Sequence, residues 1–200
     1  NLGNVFLKKK NFKEALDCYD KAIKIKPDYY EAHYNKGHVL TEIKDFENAV
    51  KIFDKVIEMK SDYIPALKAR NKFYIKENKL SKALNLLEKL IIYEPDNAGL
   101  YVQKAEVLLE MTKYEDAIEY YELAYKMDST NKLLIGNIID VKTRICDWEN
   151  FNDQIKRLEE NILNKKKTIQ PFTATTLFDS PKLLFEASNI YQSNFKRDKN

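Results

Sequence analysis

The sequence predicts an all-α fold, a right-handed solenoid of antiparallel helix pairs closed by a C-terminal helical segment of different character. Three observations carry that expectation. The chain matches itself at a shift of 34 residues, which places alanine at Ala15, Ala49, Ala83 and Ala117. A bulky column, Tyr19, Phe53, Leu87 and Tyr121, follows those alanines by four positions, so both columns share one helical face. Each copy also ends in a breaker, Pro27-Asp28, Ser61-Asp62, Pro95-Asp96 or Ser129-Thr130, expected to stop one helix and cap the next.

Within each unit the first helix carries the column His33, Leu67, Tyr101 and Ile135, followed by a small-residue slot read as Gly3, Gly37, Asn71 and Ala105. The second helix carries the alanines with Leu16, Val50, Leu84 and Ile118 beside them, then Ala22, Val56, Leu90 and Ala124. Small residues are needed where the two helices cross, because interaxial distances of about 8–10 Å leave no room for a large side chain. One pair cannot bury both its faces, so successive pairs stack and leave a concave and a convex surface.

A fifth unit begins over residues 131–143, but its alanine slot falls on Phe151 and the register is lost after Arg144-Ile145-Cys146-Asp147-Trp148. We therefore divide the chain into repeats over residues 1–145, about four and a half copies, and a transition segment over residues 146–200. In that segment Phe151, Ile155, Leu158, Ile162 and Leu163 recur at helical spacing and predict a helix running into Lys165-Lys166-Lys167. Between residues 168 and 181, Pro171 and the β-branched residues disfavour helix. A last helix is expected from Ser180 as cap and Pro181 in the first turn, through Leu183, Leu184, Phe185, Ala187 and Tyr191.

Composition narrows the function. With 44% hydrophobic and 32% charged residues the chain folds, and 34 basic against 31 acidic residues, interspersed, give a charge of +3 and no basic face for nucleic acid. No apolar run approaches the roughly 20 residues of a membrane span and no leader opens the chain, so a cytoplasmic location is expected. The start at Asn1, with helix-like residues immediately after it, suggests a piece of something longer. Cys18 and Cys146 match no metal spacing and are expected as reduced, buried or half-buried thiols. His33 and His38 are five apart, which excludes the i,i+4 pairing of helical zinc sites. Gly3, Gly37, Gly99 and Gly136 assemble no phosphate-binding loop, and no nucleophile–base set is apparent, so neither a catalytic residue nor a metal or cofactor is assigned.

What remains is a recognition surface. Two positions before the small-residue slot, just ahead of the Leu2-Gly3 site and its counterparts, the first helices carry Asn1, Asn35, Ala69, Gln103 and Asn137, four carboxamides among five positions. A carboxamide donates and accepts, so such a row in a concave groove can pair with the backbone of an extended peptide or protein segment whatever its side chains. Ordinary solvated helix residues are the alternative. Three positions further on, Asn4, His38, Lys72, Glu106 and Asp140 mix charges and would tune preference. The convex face is open to a homodimer.

Leu2-Gly3, Phe6, Ala15, Tyr19, Ala22 and Pro27 resemble the tetratricopeptide repeat (TPR), with local departures at Asn71, Ser61 and Ser129. Behind such an array, Cys146-Asp147-Trp148, Pro171-Phe172 and Asp179-Ser180-Pro181 resemble the junction that precedes the catalytic domain of protein O-GlcNAc transferase-like glycosyltransferases. The carboxamide row is similar to the asparagine ladder with which those enzymes hold protein substrates. The resemblance implies that residues 1–145 are a substrate- or adaptor-binding arm, non-catalytic by itself. A UDP-sugar donor would bind a glycosyltransferase domain beyond Asn200. The rival expectation is a stand-alone TPR scaffold whose last helices form a solvating cap. On the first reading Leu183, Leu184, Phe185, Tyr191 and Pro171-Phe172 stay exposed until another domain covers them, whereas a cap has a polar outer face.

Overall fold

Two turns recur every 34 residues and cut the chain into helices. The first is a left-handed residue just past the end of each first helix. In the computed structural model, which describes residues 2–197 and side chains as far as residue 192, Lys10, Lys44, Asn78, Thr112 and Cys146 all have φ between 55° and 66°. The residue after each closes the helix end by donating to the carbonyl five positions back: Asn11 to Phe6 at 2.9 Å, Asp45 to Leu40 at 2.8 Å, Lys79 to Tyr74 at 2.8 Å, Lys113 to Leu108 at 2.9 Å and Asp147 to Lys142 at 3.0 Å. This is the Schellman closure, formed five times without the glycine that usually occupies it. The repeat therefore persists through Asp147.

The second turn follows each second helix, where Lys26, Lys60 and Asp128 leave the helical conformation while donating to Ala22, Val56 and Ala124 at 2.9 Å. The expected aspartate caps are not there. The N-cap positions fall one or more residues later, on Tyr29, Tyr63, Asn97 and Lys132, and of these only Asn97 caps with its side chain, accepting from the Gly99 N–H at 3.1 Å. The column that follows compensates for the terminator. Where the breaker is proline the column holds a donor: His33 Nε2 donates to the Pro27 carbonyl at 2.9 Å and the Tyr101 hydroxyl to that of Pro95 at 3.0 Å. Where it is serine, Leu67 and Ile135 stand instead.

Twelve helices and no strand result among the described residues, in two bodies divided after Tyr93. The first holds α1 (Leu2–Lys8), α2 (Phe12–Ile25), α3 (Tyr30–Glu42), α4 (Phe46–Met59), α5 (Ile64–Lys76) and α6 (Leu80–Tyr93). The second holds α7 (Ala98–Glu110), α8 (Tyr114–Met127), α9 (Leu133–Arg144), α10 (Phe151–Leu163), α11 (Pro171–Leu177) and α12 (Pro181–Arg197). In both, the repeat columns are the core: the four alanines are fully buried, as are Tyr19, Phe53, Leu87 and Tyr121 at 0–2% exposure. The small slot is a close crossing, since a Cβ on Gly3 would lie 2.6 Å from a ring carbon of Tyr19 and one on Gly37 2.8 Å from Phe53. Asn71 occupies the same slot opposite the smaller Leu87, buried with both carboxamide atoms unpartnered.

Beyond Cys146 the pattern changes for a local reason. Phe12, Phe46, Leu80 and Tyr114 each begin a second helix, and Trp148 occupies that column, but a second left-handed residue, Asn150 at φ 54°, delays α10 to Phe151. Chain 168–169 then packs on α9, where the Gly136 N–H donates to the Thr168 carbonyl at 3.2 Å. The stretch expected to avoid helix forms α11. Pro171 sits at its first position, where a missing N–H costs nothing, and Thr175 and Thr176 bond back to the carbonyls of Phe172 and Thr173 at 2.6 and 2.8 Å.

The apolar stripe of α12 is largely covered by the chain itself. Leu183 and Ala187 are buried with Ile139, Leu158, Ile162, Ile169, Ala174 and Phe178 in one core, and Leu184 packs at its edge. Only Phe172 and Phe185, at 82% and 65% exposure, match the expectation of an uncovered surface there, while Tyr191 is half-buried with Lys167 Nζ 4.5 Å from its ring centre. Leu158, Ile162, Ile169, Ala174, Phe178, Leu183 and Ala187 of the segment after the repeats thus share a core with Ile139 of α9.

Candidate functional site

The carboxamides sit on first helices, each two residues before the small-slot column, which holds Gly37, Ala105 and, in the fifth copy, Ile139. Asn35 of α3, Gln103 of α7 and Asn137 of α9 are half-buried, and none hydrogen-bonds another described residue. Asn1 lies outside the described residues. Ala69, on α5, interrupts the column.

The neighbouring column is less uniform than expected. Asn4 is engaged by the fold, its Oδ1 accepting from the Tyr19 hydroxyl at 2.6 Å. Asp140 pairs with Arg144 at 2.9 Å. His38 and Lys72 are exposed on α3 and α5. Glu106, on α7, presents surface to solvent, yet desolvation, with the Glu110 charge beside it, raises its pKa above the ordinary carboxylate value. Burial, and then the carboxylates of Glu106 and Asp140, push the Tyr121 phenol far up, so it stays protonated. The carboxamides therefore offer donors and acceptors, and the positions beside them differ in charge from copy to copy.

The junction residues have local structural work. Cys146 is the left-handed turn residue of the fifth copy, and its thiol is exposed, not buried or half-buried as expected. Asp147 donates through its N–H to Lys142, accepts from the Glu149 N–H at 3.0 Å, and pairs with Lys142 Nζ at 3.3 Å. The Glu149 N–H first, then Lys142, hold its carboxyl below the usual pKa. Trp148, 57% exposed, meets the Phe151 ring edge-on at a centroid distance of 5.0 Å. Pro171 and Pro181 start α11 and α12, the Ser180 carbonyl accepts from Leu184 N–H at 3.1 Å, and Asp179 is exposed.

A second pair of columns is visible only once the helices are in place. Asp20, Asp54, Glu88 and Glu122 lie on second helices, and Lys36, Arg70, Lys104 and Ile138 on the first helices that follow, again 34 residues apart. In the first body these columns meet: Lys36 bonds Asp20 at 2.5 Å, and Arg70, 6% exposed and stacked 3.8 Å from the Tyr74 ring centre, bonds Asp54 at 2.7 Å. The 34-residue alternation of acid and base is present in the sequence. Finding it requires comparing positions 16 apart on different helices, which a search along one helix face does not do.

Three family profiles match the chain, described as TPR repeat over residues 3–43 and as tetratricopeptide repeat over residues 30–63 and 74–128. Among solved structures, MamA 41-end from Desulfovibrio magneticus RS-1 superposes with a TM-score of 0.70 at 21% identity, covering 80% of this chain and 90% of that one. A second MamA structure gives 0.71 at 18% identity, covering 82% and 96%. YrrB, described as a TPR protein with an unusual peptide-binding site, gives 0.68 at 15% identity, covering 94% and 89%. At these identities the likeness is one of fold. No curated protein matches the chain by sequence.

Proposed function

We propose, for a chain that carries tetratricopeptide repeats over residues 3–63 and 74–128, that it works as a protein-interaction module holding extended peptide segments against its first helices. The observation that carries this reading is the set of half-buried carboxamides, Asn35, Gln103 and Asn137, whose hydrogen-bonding groups meet no described residue. A peptide backbone supplies the matching carbonyls and N–H groups, and the variable column of His38, Lys72 and Glu106 sets which side chains are accepted beside it. YrrB, a TPR protein with a peptide-binding site, supports the same class of ligand. The test is capture of an extended-peptide array by the wild-type chain and by the Asn35→Ala, Gln103→Ala, Asn137→Ala variant. Each lost buried hydrogen bond is expected to weaken binding by about 1 kcal/mol with little change in melting. Unchanged capture overturns the assignment.

The finer reading makes this module the arm of an O-GlcNAc transferase-like enzyme. It rests on Cys146-Asp147-Trp148, Pro171-Phe172 and Asp179-Ser180-Pro181, and helix closure and helix initiation account for several of those residues locally. A stand-alone scaffold accounts for the covered stripe of α12. Both readings share the interaction module.

A further inference from the structure

The acid–base columns break at their last step. Ile138 stands where Lys36, Arg70 and Lys104 stand in earlier copies, and half-buried Glu122 makes no ion pair with any described residue. At this step the second body has a cleft of about 480 Å³ between α8, α9 and α10, and none of Asn35, Gln103 and Asn137 lines it. Its floor is apolar, made by Ile135, Ile138 and Ile139. Its rim carries four cations, Lys126, Lys132, Arg157 and Lys166, against the two carboxylates of Glu122 and Glu160. Lys126, Arg157 and Lys166 have no ion-pair partner among the described residues. In the first body the equivalent cleft, about 470 Å³ between α2, α3 and α4, is bridged by the Lys36–Asp20 pair. The second cleft has lost that bridge and gained an isoleucine floor.

We propose that the α8–α9–α10 cleft docks an acidic amphipathic peptide segment, with apolar side chains on the isoleucine floor and carboxylates against the surplus cations of the rim. The floor alone would accept any apolar segment. The unpaired cations select the acidic one, because a basic segment would meet like charges at the same rim.

The test uses the whole chain and a short fluorescein-labelled synthetic peptide with leucines at helical spacing and glutamates between them. Saturable anisotropy is expected for the wild type. Ile138→Lys restores the lysine found at the equivalent positions 36 and 104, places it against Glu122 and closes the floor. Its affinity should fall about tenfold or more while its unfolding midpoint holds. Arg157→Glu, on the exposed rim, should weaken binding in the same direction without touching the core. A probe with lysines in place of glutamates should bind about tenfold more weakly. The Asn35→Ala, Gln103→Ala, Asn137→Ala variant should bind as the wild type does, which separates this site from the carboxamide column. The proposal is overturned if the acidic probe does not saturate, if Ile138→Lys and Arg157→Glu both bind as tightly as wild type, or if the lysine probe binds equally well.

Discussion

Gly136→Ala isolates the contact that joins the post-repeat segment to the last first-helix. A Cβ there would sit 2.6 Å from the Thr168 carbonyl oxygen and 3.1 Å from Ile169 Cα, both backbone atoms that cannot rotate away. The same change threatens the Gly136 N–H bond to Thr168, 3.2 Å long, which satisfies a donor in the first turn of α9. Overpacking costs about 1–3 kcal/mol and the hydrogen bond about 1 kcal/mol, while alanine regains about 1 kcal/mol of helix propensity. The net expectation is a loss of about 1–3 kcal/mol in urea unfolding, with faster amide exchange concentrated over residues 164–178. Gly99→Ala is the control. Its Cβ would meet only the Asn97 side-chain oxygen, at 3.1 Å, and a shift of that side chain that weakens the α7 cap offsets the gain in helix propensity, so stability should stay within about 1 kcal/mol of wild type. A Gly136→Ala protein as stable as wild type, with unchanged exchange over residues 164–178, would refute the view that this segment is fastened through the α9 backbone.

Four further changes probe separate features. Asn71→Ala removes two buried polar atoms that have no partner, and the melting temperature should rise by the equivalent of about 1 kcal/mol; a fall would mean that the carboxamide is satisfied. Lys44→Gly relieves a left-handed lysine at φ 66°, and denaturant titration should show a gain of up to about 1 kcal/mol after the greater freedom of glycine in the unfolded chain is subtracted. Asp147 has a depressed pKa, so its contribution to stability is present above the ordinary carboxylate range and lost as pH falls; the deficit of Asp147→Asn should be visible near neutrality and vanish in acid. Glu106 has the opposite sign, and Glu106→Gln should exceed wild-type stability near neutrality and lose that advantage as pH falls.

The pairs are legible in the sequence because their cores use the same columns in every copy: Ala15 to Ala117 and Tyr19 to Tyr121 are buried as their spacing requires. Capping is not, because aspartate after a breaker favours a cap only when the helix starts at the next residue, and here the chain turns through one residue more, to Tyr29 and Tyr63. Pro171 breaks a helix only from within; at the first helical position it begins α11 instead. The fate of α12 is hidden because its partners are distant in sequence: Ile139 on α9 and Leu158 on α10 cover Leu183 and Ala187. Gly136 does carry a trace, as a glycine in a column that otherwise holds Tyr34, Lys68 and Val102, but what approaches it could only come from the fold. For the candidate site, residue type and spacing identify the carboxamides. They cannot show that the oxygen of Asn4 is already used by Tyr19.

The central claim, that the first-helix carboxamides bind peptide backbone, is tested most directly by NMR. The side-chain NH₂ resonances of Asn35, Gln103 and Asn137 would be followed during titration with a peptide captured from the array. The account predicts that these resonances shift and saturate with the binding curve, while those of Asn48 and Asn85 on the second helices stay in place. Saturable binding that leaves Asn35, Gln103 and Asn137 unmoved would contradict it.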